Sequence, residues 1–239
     1  MMAKRILWAL WAVAVVAIVG QTTAQAATLC TGTIASFTGA GNACTSVNFT
    51  VLFTATTVSG APVPVSDSHF DVTITSGGTG DLEVNIAPDA TANDTISGPG
   101  GFNSEQYNFH YTVSFSPSFA MTGATITIAN ATIGTGFGAV TGFKELDGTY
   151  QINAGSLAGT GPLGPSTLTN SMMLPYLSTP VTVEDDNTII GVGQIGNGPG
   201  APGSVENDLS FSAAPEPFTF ALCGLGLLGV GLLRRKNTK

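Results

Sequence analysis

The side chains able to do chemistry are few, and their spacing limits what they can do. His69 and His110 are the two histidines of the 239-residue chain. Asp67, His69 and Asp71 stand two apart, so on a strand they share one face and offer two carboxylates and an imidazole to a metal. At about 3.3 Å per residue the outer two lie about 13 Å apart, too far for one ion without a bulge or a second strand. Glu184, Asp185 and Asp186, followed by Asn187, form an oxygen-rich cluster after a candidate strand and are a candidate calcium site. They lack the alternating acids and central glycine of a calcium loop, so no firm metal site follows. The sequence has no Gly-x-Ser-x-Gly elbow, no phosphate-binding loop and no His-Glu-x-x-His. A carboxylate pair drawn from distant strands leaves no local signature. No catalytic residue and no cofactor are expected, and the chain reads as a protein that is not an enzyme.

The elements that must position these residues are strands. Tyr107, Phe109, Tyr111, Val113 and Phe115 alternate with Gln106, Asn108, His110, Thr112 and Ser114, giving one aromatic and one polar face. Val47 to Thr54, Phe70 to Thr75 and Leu82 to Ile86 repeat the period, and Ala124 to Ala129, Gly138 to Glu145, Thr179 to Glu184, Thr188 to Val192 and Val205 to Ser212 are further candidates. Turn formers such as Gly77-Gly78, Asp147-Gly148 and Gly196-Asn197-Gly198-Pro199-Gly200 separate them. Ala154 to Ser171 and Gly193 to Gly203, rich in small residues, are expected to be loops. The expected fold is all-β: an antiparallel β-sandwich, immunoglobulin-like or jelly-roll, flanked by an N-terminal signal helix and a C-terminal transmembrane helix.

Charge separates the middle of the chain from its ends. Residues 27–214 carry fourteen acids and one base, Lys144, a formal charge of −13; the other six basic residues lie in the termini. That balance excludes nucleic-acid binding, which rests on Lys and Arg neutralising phosphates. Cys30 and Cys44 are the cysteines outside the C-terminal apolar run, and in an oxidising compartment they are expected to form a disulfide. Closing a loop of that length is worth up to about 3 kcal/mol.

Both ends carry addresses. Lys4 and Arg5, the apolar run Ile6 to Gly20 and the small residues Ala24 and Ala26 make a secretory signal read by the Sec machinery, with cleavage after Ala26. At the other end Pro215-Glu216-Pro217 is followed by an uncharged run, Phe218 to Leu233, and by the basic tail Arg234-Arg235-Lys236-Asn237-Thr238-Lys239. At about 1.5 Å per residue this run spans about 24 Å, which snorkelling basic residues extend toward a bilayer core of about 30 Å. These residues resemble the PEP-CTERM sorting signal of Gram-negative bacteria. The resemblance covers the last 25 residues or so and implies processing by an exosortase in exporters of exopolysaccharide. It assigns Pro215, Glu216 and Pro217 to the sorting and processing motif, 218–233 to a transient inner-membrane anchor, and Arg234, Arg235 and Lys236 to the cytoplasmic stop. Phe218, Phe220 and Cys223 depart mildly from the pattern.

The expected organisation is therefore a signal peptide (1–26), an extracytoplasmic β-sandwich (27–214) and a sorting signal (215–239). The expected function is that of an exported cell-surface or biofilm-matrix protein associated with extracellular polysaccharide, structural or adhesive. A carbohydrate- or ice-binding surface is the alternative and a secreted hydrolase the third reading. Both tryptophans, Trp8 and Trp11, lie in the signal, which leaves Tyr150 and Tyr176 as sugar-stacking candidates. Intact mass of the extracellular protein is expected to end near Pro215-Glu216-Pro217, while replacement of that tripeptide by alanines retains the full tail in the inner membrane; tails retained in both forms would make the run a plain anchor.

Overall fold

In the computed structural model of the chain, the described residues are 27–39, 41–54, 56–59, 67–77, 80–88, 96–97, 100, 103–196 and 203–213. The expected signal helix, the sorting motif and the C-terminal span lie outside them. Among the described residues no helix is long and apolar enough to cross a membrane.

The strands are β1 (Ala27–Thr33), β2 (Cys44–Thr45), β3 (Phe49–Phe53), β4 (Thr57–Ser59), β5 (Phe70–Gly77), β6 (Asp81–Pro88), β7 (Ile96–Ser97), β8 (Ser104–Phe115), β9 (Phe119–Leu146), β10 (Tyr150–Thr160), β11 (Leu163–Leu177), β12 (Val181–Ile195) and β13 (Ser204–Ala213). They form one antiparallel hydrogen-bonded path, β1-β5-β6-β13-β9-β12-β8-β3-β2, with β10 and β11 also on β9, β4 on β8 and β7 on β12. The 28-residue β9 is the hinge of this path. Its first half pairs with β13 and β11, and its second half with β12 and β10. The sheet thus doubles back on itself as a nearly closed sandwich, with β9 running through both layers.

Alternation builds the core as expected. Tyr107, Phe109, Tyr111, Val113 and Phe115 of β8 are all buried, as are Val72 and Ile74 of β5 and Leu82, Val84 and Ile86 of β6. Rings join the layers: Phe211 of β13 sits 4.8 Å from Phe49 and 4.9 Å from Phe115, and Phe70 of β5 meets Phe109 edge-on at 5.0 Å. Such pairs add about 0.5–1.5 kcal/mol each beyond the area they bury. The two free ends of the strand path are β1 and β2, and the Cys30–Cys44 disulfide joins them across a Cα–Cα distance of 6.0 Å. The bond closes the side of the sandwich that hydrogen bonding leaves open, which protects two edges at once.

A buried polar cluster stands within the apolar interior, where Asn187 is also fully buried. Lys144, the single base among residues 27–214, is fully buried, as are Asp185 and Asn207. Lys144 of β9 and Asp185 of β12 are cross-strand partners, and Lys144 Nζ lies 3.1 Å from Asp185 Oδ1. Asn207 comes from β13 in the opposite layer; its Oδ1 accepts from Lys144 Nζ and its Nδ2 donates to Asp185 Oδ2 at 2.8 Å. Burial pushes the Lys144 amine below its ordinary value and the Asp185 carboxyl above its own, each opposed by the charge of the other. Burial, and then the charge of Asp185, also push the pKa of the neighbouring Tyr111 hydroxyl well above its ordinary value, so it stays protonated.

Four sequence expectations are corrected. Ala154 to Ser171 is not a loop but most of the β10–β11 hairpin, whose residues are largely exposed and so need no apolar alternation. The candidates 124–129 and 138–145 are one strand, because Gly134 to Gly138 bends β9 instead of breaking it; Gly136 takes φ 133°, open to glycine alone. Likewise 179–184 and 188–192 merge into β12, which also takes in Gly193 to Ile195, so Glu184-Asp185-Asp186-Asn187 lies inside a strand rather than after one. Asp67 to His69 forms a turn of 3₁₀-helix, so the shared strand face proposed for Asp67, His69 and Asp71 does not exist.

The bend is also the tightest crossing of β9 with β12. A Cβ added at Gly138 would stand 2.7 Å from the backbone N of Gly193 and 3.0 Å from the carbonyl carbon of Val192. Gly138→Ala is expected to destabilise the domain by about 2 kcal/mol, whereas Gly123→Ala, whose new methyl finds its nearest neighbour at 3.5 Å, should stay within about 0.5 kcal/mol. Urea unfolding of the two variants checks this; equal midpoints would contradict the crossing.

Candidate functional site

The parity that turns Lys144 and Asp185 inward turns their neighbours outward. Across β8, β12, β9 and β10 the register aligns two rungs of polar side chains: Asn108, Asp186, Phe143 and Asn153 in one, and His110, Glu184, Glu145 and Gln151 in the next. Phe143 is 41 % exposed, a ring amid amides and carboxylates. Hydrogen bonds hold the face in place. Gln151 Nε2 donates to Glu145 Oε2 at 2.8 Å, Gln106 Nε2 donates to Asp186 Oδ2, and His110 Nε2 lies 3.5 Å from Glu184 Oε1. No protein donor among the described residues reaches Asp186 Oδ1, and Asn108 Oδ1 likewise lacks a partner.

A cleft of about 300 Å³ opens beside these rungs, lined by Thr54, His110, Thr112, Glu145, Thr182 and Glu184. A second, of about 260 Å³, continues along Phe143, Glu145, Gln151, Glu184 and Asp186. The first cleft reaches the β9–β10 turn at Gly148, where Asp147 (φ 50°) and Gly148 (φ 64°) adopt left-handed backbone, as the Asp-Gly pair predicts. There Asp147 Oδ1 accepts from Thr182 N at 2.8 Å, fixing the start of β12 against the turn. Chemically the face offers hydrogen-bond acceptors, amide donors and one ring edge or face. This set suits hydroxyl-rich ligands and repels anions.

The sequence-selected residues are distributed unevenly. Cys30 and Cys44 are bonded as expected. Glu184, Asp185 and Asp186 are not brought together, since Asp185 points into the core while Glu184 and Asp186 lie on the outer face; among the described residues no three His, Cys, Asp or Glu side chains converge as a metal site. Tyr176 is 64 % exposed on β11, remote in register from the polar rungs, and Tyr150 is packed against the core. Pro215, Glu216, Pro217, Arg234, Arg235 and Lys236, with Ala24 and Ala26, lie outside the described residues. Sequence reading missed Phe143, Glu145, Gln151 and Asn153. The signal that could have found them is the outward parity of β9 and β10 once Val140 and Leu146 are placed inside.

No family model matches the chain, and no curated protein does. Among solved structures, similarity is found to a carbohydrate-binding module in complex with β-1,4-galactotriose (10 % identity, 70 % of this chain and 88 % of that one, TM-score 0.29). A mannan-recognising carbohydrate-binding module (8 % identity, 69 % and 99 %, TM-score 0.29) is also matched. A third is the cellotriose-bound module from Cellvibrio mixtus lichenase 5A (9 % identity, 76 % and 98 %, TM-score 0.24). At these TM-scores the likenesses carry no argument about activity.

The other layer carries a smaller acidic group. Asp208 of β13 is paired with Glu83 of β6, with Asp81 close by, and burial followed by these two charges raises its carboxyl above 3.8. The folded chain therefore holds this proton more tightly than the unfolded chain does, and stability falls as pH rises from 3.8 through the raised value. Asp208→Asn is expected to stabilise the domain by about 0.5 kcal/mol at pH 7, after allowance for solvent screening, and to lose that advantage below pH 4. Thermal unfolding against pH reads both limbs; a destabilised variant at pH 7 would contradict the repulsion.

Proposed function

We propose that the chain is an exported, non-catalytic surface or matrix protein that holds neutral, hydroxyl-rich polysaccharide on the outer face of β8, β12, β9 and β10. The observation that carries this reading is the pair of amide and carboxylate rungs with Phe143 exposed among them. Carboxylates and amides accept and donate to sugar hydroxyls, and an aromatic ring covers the apolar C–H face of a pyranose. The formal charge of −13 over residues 27–214 favours an uncharged glycan, or an acidic one bridged by divalent cations. The secretory signal and the PEP-CTERM-like tail support delivery through Sec and exosortase to the surface or matrix, in an immunoglobulin-like or jelly-roll body with a structural or adhesive role.

Glu145 and Glu184 favour a second reading, a secreted glycoside hydrolase. They are direct cross-strand partners lining one cleft, the arrangement of a carboxylate pair. Amides donate to both, Asn108 to Glu184 and Gln151 to Glu145, which suits binding better than proton donation.

Titration calorimetry with neutral β-linked oligosaccharides tests both. The wild type is expected to bind, and Phe143→Ala or Gln151→Ala to weaken binding at least tenfold, about 1.4 kcal/mol or more, without change in fold. Binding that survives both substitutions would place the ligand elsewhere. Release of new reducing ends by the wild type, lost in Glu145→Gln, would replace the binding reading with the hydrolase.

A further inference from the structure

Lys144, Asp185 and Asn207 are more than a neutralised buried charge. An amine, a carboxyl and a carboxamide meet in an interior that excludes water, each fully buried, and each from a different strand. The contacts are directional. Lys144 Nζ donates to Asn207 Oδ1, which places the amine beside the carboxamide carbon, Asn207 Cγ. The two oxygens of Asp185 divide their tasks: Oδ1 holds the attacking nitrogen at 3.1 Å, and Oδ2 holds the amide nitrogen that would leave, at 2.8 Å. A single carboxyl thus touches both ends of a possible acyl transfer.

We propose that Lys144 and Asn207 join in an intramolecular isopeptide bond, with Asp185 as the catalytic proton carrier. The bond that forms is Nζ–Cγ, and the bond that breaks is Asn207 Cγ–Nδ2. Lys144 first passes its ammonium proton to Asp185, which leaves a neutral amine with a free lone pair. Attack on Cγ gives a tetrahedral centre; one of the two remaining amine protons moves by way of Asp185 to Nδ2, and ammonia leaves. A primary amine and a primary amide become a secondary amide and ammonia, with no change in oxidation state and no external reagent. Burial disfavours the charged forms of both Lys144 and Asp185 and so favours passage of the ammonium proton from Nζ to the adjacent Oδ1, 3.1 Å away. Fixed geometry supplies the remaining advantage, since the three groups are ordered by folding and not by encounter.

The bond would connect β9 to β13 across 63 positions of sequence and would fasten the layer containing β12 to the layer containing β6. The Cys30–Cys44 disulfide closes one side of the sandwich; the isopeptide would close its centre, and unlike the disulfide it survives reduction. It would not depend on any ligand and is independent of the glycan reading.

The sequence provides its own assay. Between Arg5 and Arg234 trypsin has one site, Lys144. The full chain is denatured, its disulfide reduced, and it is digested and weighed. An acylated Lys144 is not cleaved, so the expected product spans the whole middle of the chain and is lighter than its sequence by one ammonia. Quantitative cleavage between Lys144 and Glu145, with fragment masses equal to the sequence, would overturn the proposal. Lys144→Arg and Asn207→Ala are each expected to restore cleavage at position 144 with unaltered mass, folded or not, because digestion follows denaturation. Asn207→Asp should condense with loss of water instead and give a final product of the same mass as the wild type. In the folded fraction of Asp185→Asn, collected by gel filtration, the linked form should fall at least tenfold; full linkage there would remove Asp185 from the mechanism, and the absence of any folded fraction would leave the wild-type digest to decide.

Discussion

Lys144 enters the core because the alternation of β9 gives it no other side. Val140 and Leu146 are buried on the same parity, and Phe143 and Glu145 take the opposite one. Desolvating an amine and a carboxylate costs several kcal/mol per ion, and a buried pair stripped of one partner loses about 3–5 kcal/mol. A slip of one residue in β9, β12 or β13 would bury Glu145 or Glu184 and expose Lys144, Asp185 or Asn207. The group therefore acts as a register lock on three strands at once. An apolar trio would pack as well and would discriminate less between registers.

The outer face inherits its order from this lock. Glu145 lies next to Lys144 in the chain, and Glu184 and Asp186 flank Asp185. The same parity that presents three groups to one another inside presents the two polar rungs outside, with Phe143 between Asp186 and Asn153. A ligand surface built this way needs no loops to shape it. Its side chains stand on strands whose spacing is set by backbone hydrogen bonds, and the amides of Gln106 and Gln151 hold the carboxylates of Asp186 and Glu145 in fixed directions.

Strands with one buried and one wet face were legible in the sequence. β8 could be read over all but its first two residues, since five aromatic or β-branched side chains alternate with five polar ones, and β5, β6 and β13 followed from the same period. Elements without that contrast were not. The β10–β11 hairpin is exposed along most of its length, so Gly, Ser, Thr and Ala satisfy it and resemble a loop. β9 was cut in two because three glycines within Gly134 to Gly138 look like punctuation, whereas they allow a bend and a close crossing. β12 was cut at Glu184-Asp185-Asp186-Asn187 because consecutive acids are read as solvent-facing; only the partner Lys144, forty-one positions away, makes Asp185 a core residue. The candidate site was missed for the same reason: it is a property of register between strands distant in the chain.

The most direct measurement is a high-resolution crystal structure of the protein, read at the three buried side chains. Continuous density from Lys144 Nζ to Asn207 Cγ at an amide bond length of about 1.33 Å, with no density for Asn207 Nδ2 and Asp185 beside the new N–H, is the predicted result. Separate side chains with Nζ and Oδ1 at an ordinary hydrogen-bond distance of about 2.9 Å would contradict it, and would reduce the centre of the sandwich to an ion pair and an amide.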